Sequence, residues 1–352
     1  MSSSAPVNRA SWLKTPKGRL EIDEAPHEKP AKGEVVIKVH AVSIQPVDWK
    51  VQAYDFFIKS YPTILGTDVA GEIYEVGEGV TTVKKGDRVL GHAIFLATQQ
   101  TKHSAFQLYT HAPAIAVSTI PSALSFEEAS VLPLALSTAA SGLYQSSYLG
   151  LPLPKANAPN PEGKGKVLLV WGGSSSVGAT AIQLAVASGL RVVSTASPAN
   201  FDFVKSLGVS AVVDYKDSQV VEKLVAELEK EGEEFAGVYD AISEGGSVEK
   251  SAEIATKVKG GKRFIATTLP PPEKLPAEVK TAGVFAPDIV TKGDGSIAKS
   301  IFLDFVPAAL QNGSFKAKPD VLLAGKGLED LEKGLEVQKK GVSAKKVVVS
   351  IV

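Results

Sequence analysis

Hydrophobic and polar positions change their period as the chain proceeds. Residues 34–39 (EVVIKV) alternate at period two, as a strand with one buried face does. Asp68–Val76 alternates more loosely, and Gly86-Asp87-Arg88-Val89 reads as a turn entering another strand. No run at helical spacing separates them, so this part is predicted as an antiparallel, barrel-like domain. Within 126–148 the period lengthens: Ala129, Leu132, Leu136 and Ala140 recur at helical spacing. Ser125 is placed to cap that helix, with Glu127 and Glu128 in the turn where the helix dipole favours negative charge. Pro133 is expected to kink or divide it.

Residues 151–165 are rich in Pro, Asn, Gly and Lys and read as an exposed loop. They end at Val167-Leu168-Leu169-Val170-Trp171, a continuous apolar run that predicts a strand buried on both faces. Helices at 177–188, 200–207, 218–230 and 247–258 then alternate with strands at 190–196, 211–214, 237–242 and 262–267. That alternation predicts a doubly wound parallel sheet, hence an α/β fold. After 270–276 the pattern turns irregular, with amphipathic helices at 300–311 and 328–339 and a strand in 345–352. The simplest organisation is a first domain, 1–130, completed by 300–352, with a nucleotide-binding domain, 131–299, inserted between.

Composition narrows the function classes. The 352 residues have room for roughly two domains. Lys plus Arg and Asp plus Glu number 38 each, so the formal net charge is zero. A neutral chain has no long-range attraction to nucleic acid or anionic lipid, which leaves a small molecule as the expected partner. The absence of cysteine removes disulfides, thiolate catalysis and every zinc site that needs sulfur. Residues 1–8 hold no apolar leader, and no stretch approaches the ~20 apolar residues of a membrane span, so a cytoplasmic location is expected. His27, His40, His92, His103 and His111 show no metal-ligand spacing, and no Ser-His-Asp arrangement can be argued from them.

The sharpest signal is Gly172-Gly173-Ser174-Ser175-Ser176-Val177-Gly178, between the buried strand and a helix. Against G-x-G-x-x-G, Gly173 and Gly178 take the first and third glycine positions and Ser175 the second. The chemistry asks for a tight turn, backbone N–H groups facing a pyrophosphate, and a helix N-terminus behind them. Serine serves at the middle position if its hydroxyl also reaches phosphate. An NAD site places an acidic residue about 20 residues further on, at the end of the second strand. Here that place reads Thr195-Ala196-Ser197-Pro198-Ala199-Asn200. No carboxylate stands there to repel a 2′-phosphate, Ser197 can hydrogen-bond one, and Lys205 is one helical stretch away. NADPH is the expected cofactor.

These residues carry a resemblance that covers nearly the whole chain. With Gln45-Pro46-Val47-Asp48-Trp49-Lys50, Tyr61-Pro62-Thr63-Ile64-Leu65-Gly66-Thr67-Asp68-Val69-Ala70-Gly71 and Asp214-Tyr215, the sequence resembles the medium-chain dehydrogenase/reductase superfamily. Within it the likeness is to zinc-free quinone oxidoreductases and fungal trans-acting enoyl reductases. The resemblance implies a GroES-like antiparallel β-barrel catalytic domain around an inserted Rossmann domain. Zinc-dependent relatives look like Cys-x-x-Asp followed by Gly-His-Glu; here Gln45 stands at the Cys position, with Thr67 and Asp68 at those of His and Glu. No metal is expected.

The resemblance also implies site residues. Thr138, next to Ser137, is placed near the nicotinamide, and Lys50 is a candidate donor to the substrate oxygen or to phosphate. Pro46, Asn200 and Tyr215 are candidate cofactor contacts, Tyr215 against the adenine or its ribose. Thr267 and Leu269 follow a strand of the parallel sheet, whose C-terminal ends face the ligand crevice. Val284-Phe285 resembles a segment that backs onto the nicotinamide. The activity implied is NADPH-dependent reduction of an activated C=C bond or a quinone. Zinc-free reduction of a carbonyl, and a non-catalytic NADPH-binding sensor or structural protein, stand as alternatives. Enoyl reductases of this kind can act on a chain tethered to a polyketide synthase, so such a synthase is a candidate partner. Monomer and homodimer are both open.

Overall fold

The computed structural model describes residues 6–352; residues 1–5, the start of the segment read as lacking an apolar leader, lie outside the described residues. The chain divides into two compact units, Met1–Leu134 with Asp320–Val352, and Ala135–Pro319. No helix among the described residues is long and apolar enough to cross a membrane.

The first unit begins with β1 (Asn8–Leu13), β2 (Leu20–Ala25), β3 (Glu34–Ser43), β4 (Thr63–Ile64), β5 (Asp68–Val76), β6 (Arg88–His92), β7 (Tyr109–Pro113) and β8 (Val117–Thr119). The second unit contributes β9 (Lys166–Trp171), β10 (Arg191–Ala196), β11 (Ala211–Asp214), β12 (Glu234–Asp240), β13 (Phe264–Thr267) and β14 (Lys280–Gly283), and the chain returns to the first as β15 (Asp320–Lys326) and β16 (Lys345–Ser350).

In the first unit, β3 is antiparallel to β5, β7 and β16, at the centre of the order β15-β16-β3-β5-β6-β8. Val35, Val36, Ile37, Val39 and Val42 are all fully buried, so the single buried face expected of 34–39 is broken at Val36, where the β3–β5 register shifts. The β15–β16 pair is parallel, so the sheet is not purely antiparallel. A helix, α1 (Pro46–Tyr54), also falls where the pattern predicts none. It buries only Asp48 and Val51, too few residues to print a helical stripe, and is started by local chemistry. Pro46 opens it, and the Gln45 N–H donates to Asp48 Oδ2 at 2.7 Å.

Pro133 divides the next helical stretch as its chemistry dictates, into Phe126–Ala129 and α2 (Pro133–Tyr144). Ser125 and Glu128 form a reciprocal cap: the Glu128 N–H donates to Ser125 Oγ at 3.1 Å and the Ser125 N–H to Glu128 Oε2 at 3.0 Å.

The second unit is a six-stranded parallel sheet in the order β11-β10-β9-β12-β13-β14. Val167, Leu168, Leu169 and Val170 of β9, at its centre, are all fully buried. Each contributes about 1.5–3 kcal/mol by leaving water, which explains the unbroken apolar run. Strands β14 and β15 carry no clear alternation, and the sequence pattern passes them by. Residues 300–319 belong to this unit, although the pattern gives 300 onward to the first domain. They are tied to it by hydrogen bonds: the Lys316 N–H donates to Gln183 Oε1 at 2.9 Å, Gln183 Nε2 donates to the Lys316 carbonyl at 3.2 Å, and Ser314 Oγ donates to the Ala156 carbonyl at 2.9 Å.

In the first unit Glu34 gathers three basic side chains, with His103 Nε2 at 2.8 Å, Lys102 Nζ at 3.2 Å and His111 Nδ1 at 3.5 Å. Burial raises the carboxyl's pKa, but the Ala31 N–H, His103 and Lys102 outweigh it and hold it at about 2. A carboxyl depressed below its ordinary 4.5 stabilises the fold above that pH and loses the contribution as pH falls toward 2. Glu34→Gln is expected to cost about 1 kcal/mol at neutral pH, after allowance for solvent screening, and to flatten the fall in stability below pH 4.5. Melting temperatures between pH 6 and 3 check this; parallel curves for the two proteins would rule it out. Burial lowers the pKa of His103 and His111 from 6.5 and Glu34 opposes that shift, so their effect begins at higher pH and also changes in the variant.

Candidate nucleotide-binding site

Because β9 to β14 run parallel, their C-terminal ends emerge on one edge of the second unit, and the turns that follow lie together. The turn after β9 leads into helix α3 (Ser176–Ala187). Gly172 has φ +81°, so the left-handed residue of the turn is Gly172 rather than Gly173. Its N–H donates to Thr195 Oγ1, and the Gly173 N–H to the Thr195 carbonyl, both at 2.9 Å, which ties the turn to β10. Ser174, Ser175, Ser176 and Val177 are half-buried around the helix start.

Ser175 is the helix cap. Its hydroxyl donates to the Gly172 carbonyl at 2.9 Å and accepts the Gly178 N–H at 3.0 Å. The hydroxyl proton is therefore used within the loop, which changes the role expected of this serine at the middle position. Its work is to hold the turn shut so that backbone N–H groups are presented. Gly178 is required by close approach: a Cβ there would lie 2.2 Å from the Gly172 carbonyl oxygen. The loop is thus a cradle with the shape and polarity for a diphosphate, and its residues fit a dinucleotide.

Ala196 and Asp214 are register partners at the ends of β10 and β11, so Ser197 and Tyr215 follow side by side. Ser197 Oγ accepts from Asn200 Nδ2 at 3.2 Å. Tyr215 is 37% exposed, enough to offer a ring face, and Lys216 Nζ lies 5.7 Å from its centroid. The structure thus brings Ser197, Asn200 and Tyr215 to one corner. Lysines gather there too: Lys250 Nζ donates to the Tyr215 carbonyl at 3.4 Å.

Thr267 is fully buried and its hydroxyl donates to the Leu269 carbonyl at 2.7 Å, so the side chain shapes the turn after β13. The Val284 N–H donates to the Thr267 carbonyl at 2.7 Å, and Val284 and Phe285 are half-buried beyond β14. Val284 packs against α2, where Thr138 is nearly buried and its carbonyl accepts from the Tyr239 hydroxyl at 2.8 Å. Two further residues at this edge escape sequence reasoning. Thr195 anchors the glycine turn, and Asp240, fully buried, accepts the Ile242 and Ser243 N–H groups through Oδ1 at 3.0 and 2.8 Å. Burial raises the Asp240 pKa. A carboxylate ending a strand before Ser and Gly was the available signal.

The first unit holds the other candidates. Pro46 is exposed at the start of α1, and Lys50 is half-buried on it, its Nζ 5.8 Å from the Trp49 ring centre. At the positions where zinc-dependent relatives carry ligands, Gln45 Nε2 donates to Asp68 Oδ2, and the buried Lys346 ammonium lies 3.7 Å from the same oxygen. An amide donor and an ammonium group turned toward the one carboxylate do not make a zinc site. Among the described residues no group of three His, Cys, Asp or Glu side chains is placed to hold a metal ion.

A glycine-serine cradle at the edge of a parallel sheet, in a chain that also carries a largely antiparallel unit, defines a nicotinamide-dependent oxidoreductase. Residues 31–133 match the alcohol dehydrogenase GroES-like domain, and residues 176–297 the zinc-binding dehydrogenase domain. The chain belongs to the medium-chain dehydrogenase/reductase superfamily and is an enzyme. It is 38% identical to Dehydrogenase orsE of Emericella nidulans, over 98% of this chain and 99% of that one. It is 41% identical to Trans-enoyl reductase himH of Aspergillus japonicus, over 98% of each. Among solved structures, an alcohol dehydrogenase superfamily protein from Novosphingobium aromaticivorans shares the fold with a TM-score of 0.78 at 23% identity, over 98% of this chain and 100% of that one.

Proposed function

We propose that this enzyme is an NADPH-dependent reductase acting without zinc on an activated C=C bond, of the enoyl or enone type, or on a quinone. One observation carries the cofactor choice: the turn after β10 ends in Ser197 and Asn200, with no acidic side chain between Thr195 and Asn200. A 2′-phosphate meets hydroxyl and amide groups there rather than a like charge. Kinship with a trans-enoyl reductase at 41% identity supports the substrate class.

With its diphosphate in the cradle, NADPH would supply a hydride from its nicotinamide to the electron-poor acceptor. The protein's part is orientation and charge. Ser174, Ser176 and Val177, with the α3 terminus, would face the diphosphate, and Gly173 holds the turn through the bond of its N–H to the Thr195 carbonyl. Tyr215 would offer its ring to the adenine end, and Leu269, Val284 and Phe285 would supply apolar contact to the nicotinamide. Thr138 is held by the bond that its carbonyl makes to Tyr239, and its hydroxyl serves the carboxamide or ribose. Pro46 and Lys50, at the start of α1, remain the candidates that the family resemblance names, Lys50 as a donor to a substrate oxygen where charge develops.

Oxidation of NADPH assayed in parallel with an enone, a quinone and an aldehyde tests this reading. The enone or quinone is expected to give a kcat/KM at least about tenfold above the aldehyde. Turnover of the aldehyde alone would transfer the assignment to carbonyl reduction.

A further inference from the structure

The zinc-ligand positions of the first unit contain a cation after all, one supplied by the chain. Lys346 comes from β16, near the end of the sequence, and only 4% of its side chain is exposed. The fully buried Asp68 lies 3.7 Å away. Asp68 organises what surrounds it. Oδ2 accepts from Ser43 Oγ at 2.5 Å and from Gln45 Nε2, and Oδ1 accepts the Leu134 N–H at 2.5 Å. A second buried carboxyl, Asp48, has its pKa pushed up to about 7 by burial, with Asp68 adding to the shift and Lys346 opposing it. Across the β5–β6 ladder, His92 is the register partner of Asp68, and burial holds its imidazole neutral, with a pKa near 3. Thr67 Oγ1, beside Asp68, is buried with no hydrogen-bond partner. Two buried carboxyl groups need a positive charge, and an ammonium leaving water needs the carboxylates.

We propose that Lys346 is a built-in cation that takes the electrostatic place of a metal ion beside Asp68, positions the Asp68 network, and bars a divalent ion from the pocket. The inference rests on the zinc-free reading above and supplies its physical cause. Lys346 is a positioning residue here, acting through Asp68 on Ser43, Gln45 and the start of α2.

The test restores zinc-type ligands with and without the lysine. Purified wild type, Gln45→Cys/Thr67→His and Gln45→Cys/Thr67→His/Lys346→Met are each incubated with Co2+ and desalted. Metal content and the cobalt–thiolate absorption band are then read. The expected result is about one Co2+ per chain in the triple variant and less than about a tenth of that in the other two. Equal uptake by the double and triple variants, or uptake by neither, overturns the proposal. Retention of stoichiometric metal by wild type overturns the zinc-free reading itself, a distinguishable outcome. If the triple variant does not fold, the decision passes to Lys346→Met against Asp68→Asn/Lys346→Met. The paired change, which removes both charges, is expected to melt higher than the single one by about 5 °C or more. A pair no more stable than the single variant overturns the proposal.

Discussion

Gly178→Ala is expected to weaken NADPH binding by about 100-fold and to lower the melting temperature by several degrees. The added Cβ would lie 2.2 Å from the Gly172 carbonyl oxygen and 2.9 Å from its carbon. These are backbone atoms, so no side-chain rotation relieves the clash; α3 must withdraw or the turn must open. Opening the turn breaks the two bonds through which Ser175 Oγ joins Gly172 to Gly178. The Thr195 bonds to Gly172 and Gly173 hold the other side of the turn in place, so the strain falls on the cradle. About 3 kcal/mol of overpacking corresponds to roughly a factor of 100 in affinity. Calorimetric titration with NADPH, beside a melting curve, is the measurement. A variant that binds NADPH as wild type does would show that the diphosphate lies elsewhere.

The second large effect concerns which dinucleotide is used. Ser197→Asp places a carboxylate where the 2′-phosphate is proposed to lie, next to the Tyr215 corner. Like charges at contact distance are costly, and the same carboxylate can accept from the 2′-hydroxyl of NADH. The ratio of kcat/KM for NADPH over NADH is expected to fall by about 100-fold, mostly through the NADPH term. Steady-state kinetics with both cofactors decides it. A loss shared equally between them would mean that residue 197 shapes the turn without touching the phosphate, a role its bond with Asn200 also supports.

How much of the site was legible follows from where each signal is stored. The cradle is local: strand, turn and helix start lie within 166–187, and each leaves its mark in a few adjacent residues. Its exact geometry was not legible, because the positive φ at Gly172 and the use of the Ser175 hydroxyl as a cap depend on how the turn closes. The Ser197–Tyr215 corner lies between these cases. Its residues stand out as a group, but their adjacency comes from the β10–β11 register.

The hydrophobic period by itself determined the alternating α/β middle of the chain and its buried central strand. Those elements are regular, long enough to repeat their period, and covered on known faces. Local capping chemistry determined the break at Pro133 and the helix start at Ser125. The helix at 46–54 starts on local chemistry but is too short and too little buried to show a stripe, and only the tertiary structure decided the placement of 300–319, where Lys316 meets Gln183. It alone decided that Lys346 meets Asp68, residues far apart in the sequence, of which only Asp68 stands out there. A buried charge finds its partner through the packing of distant strands, and no spacing along the chain records that meeting.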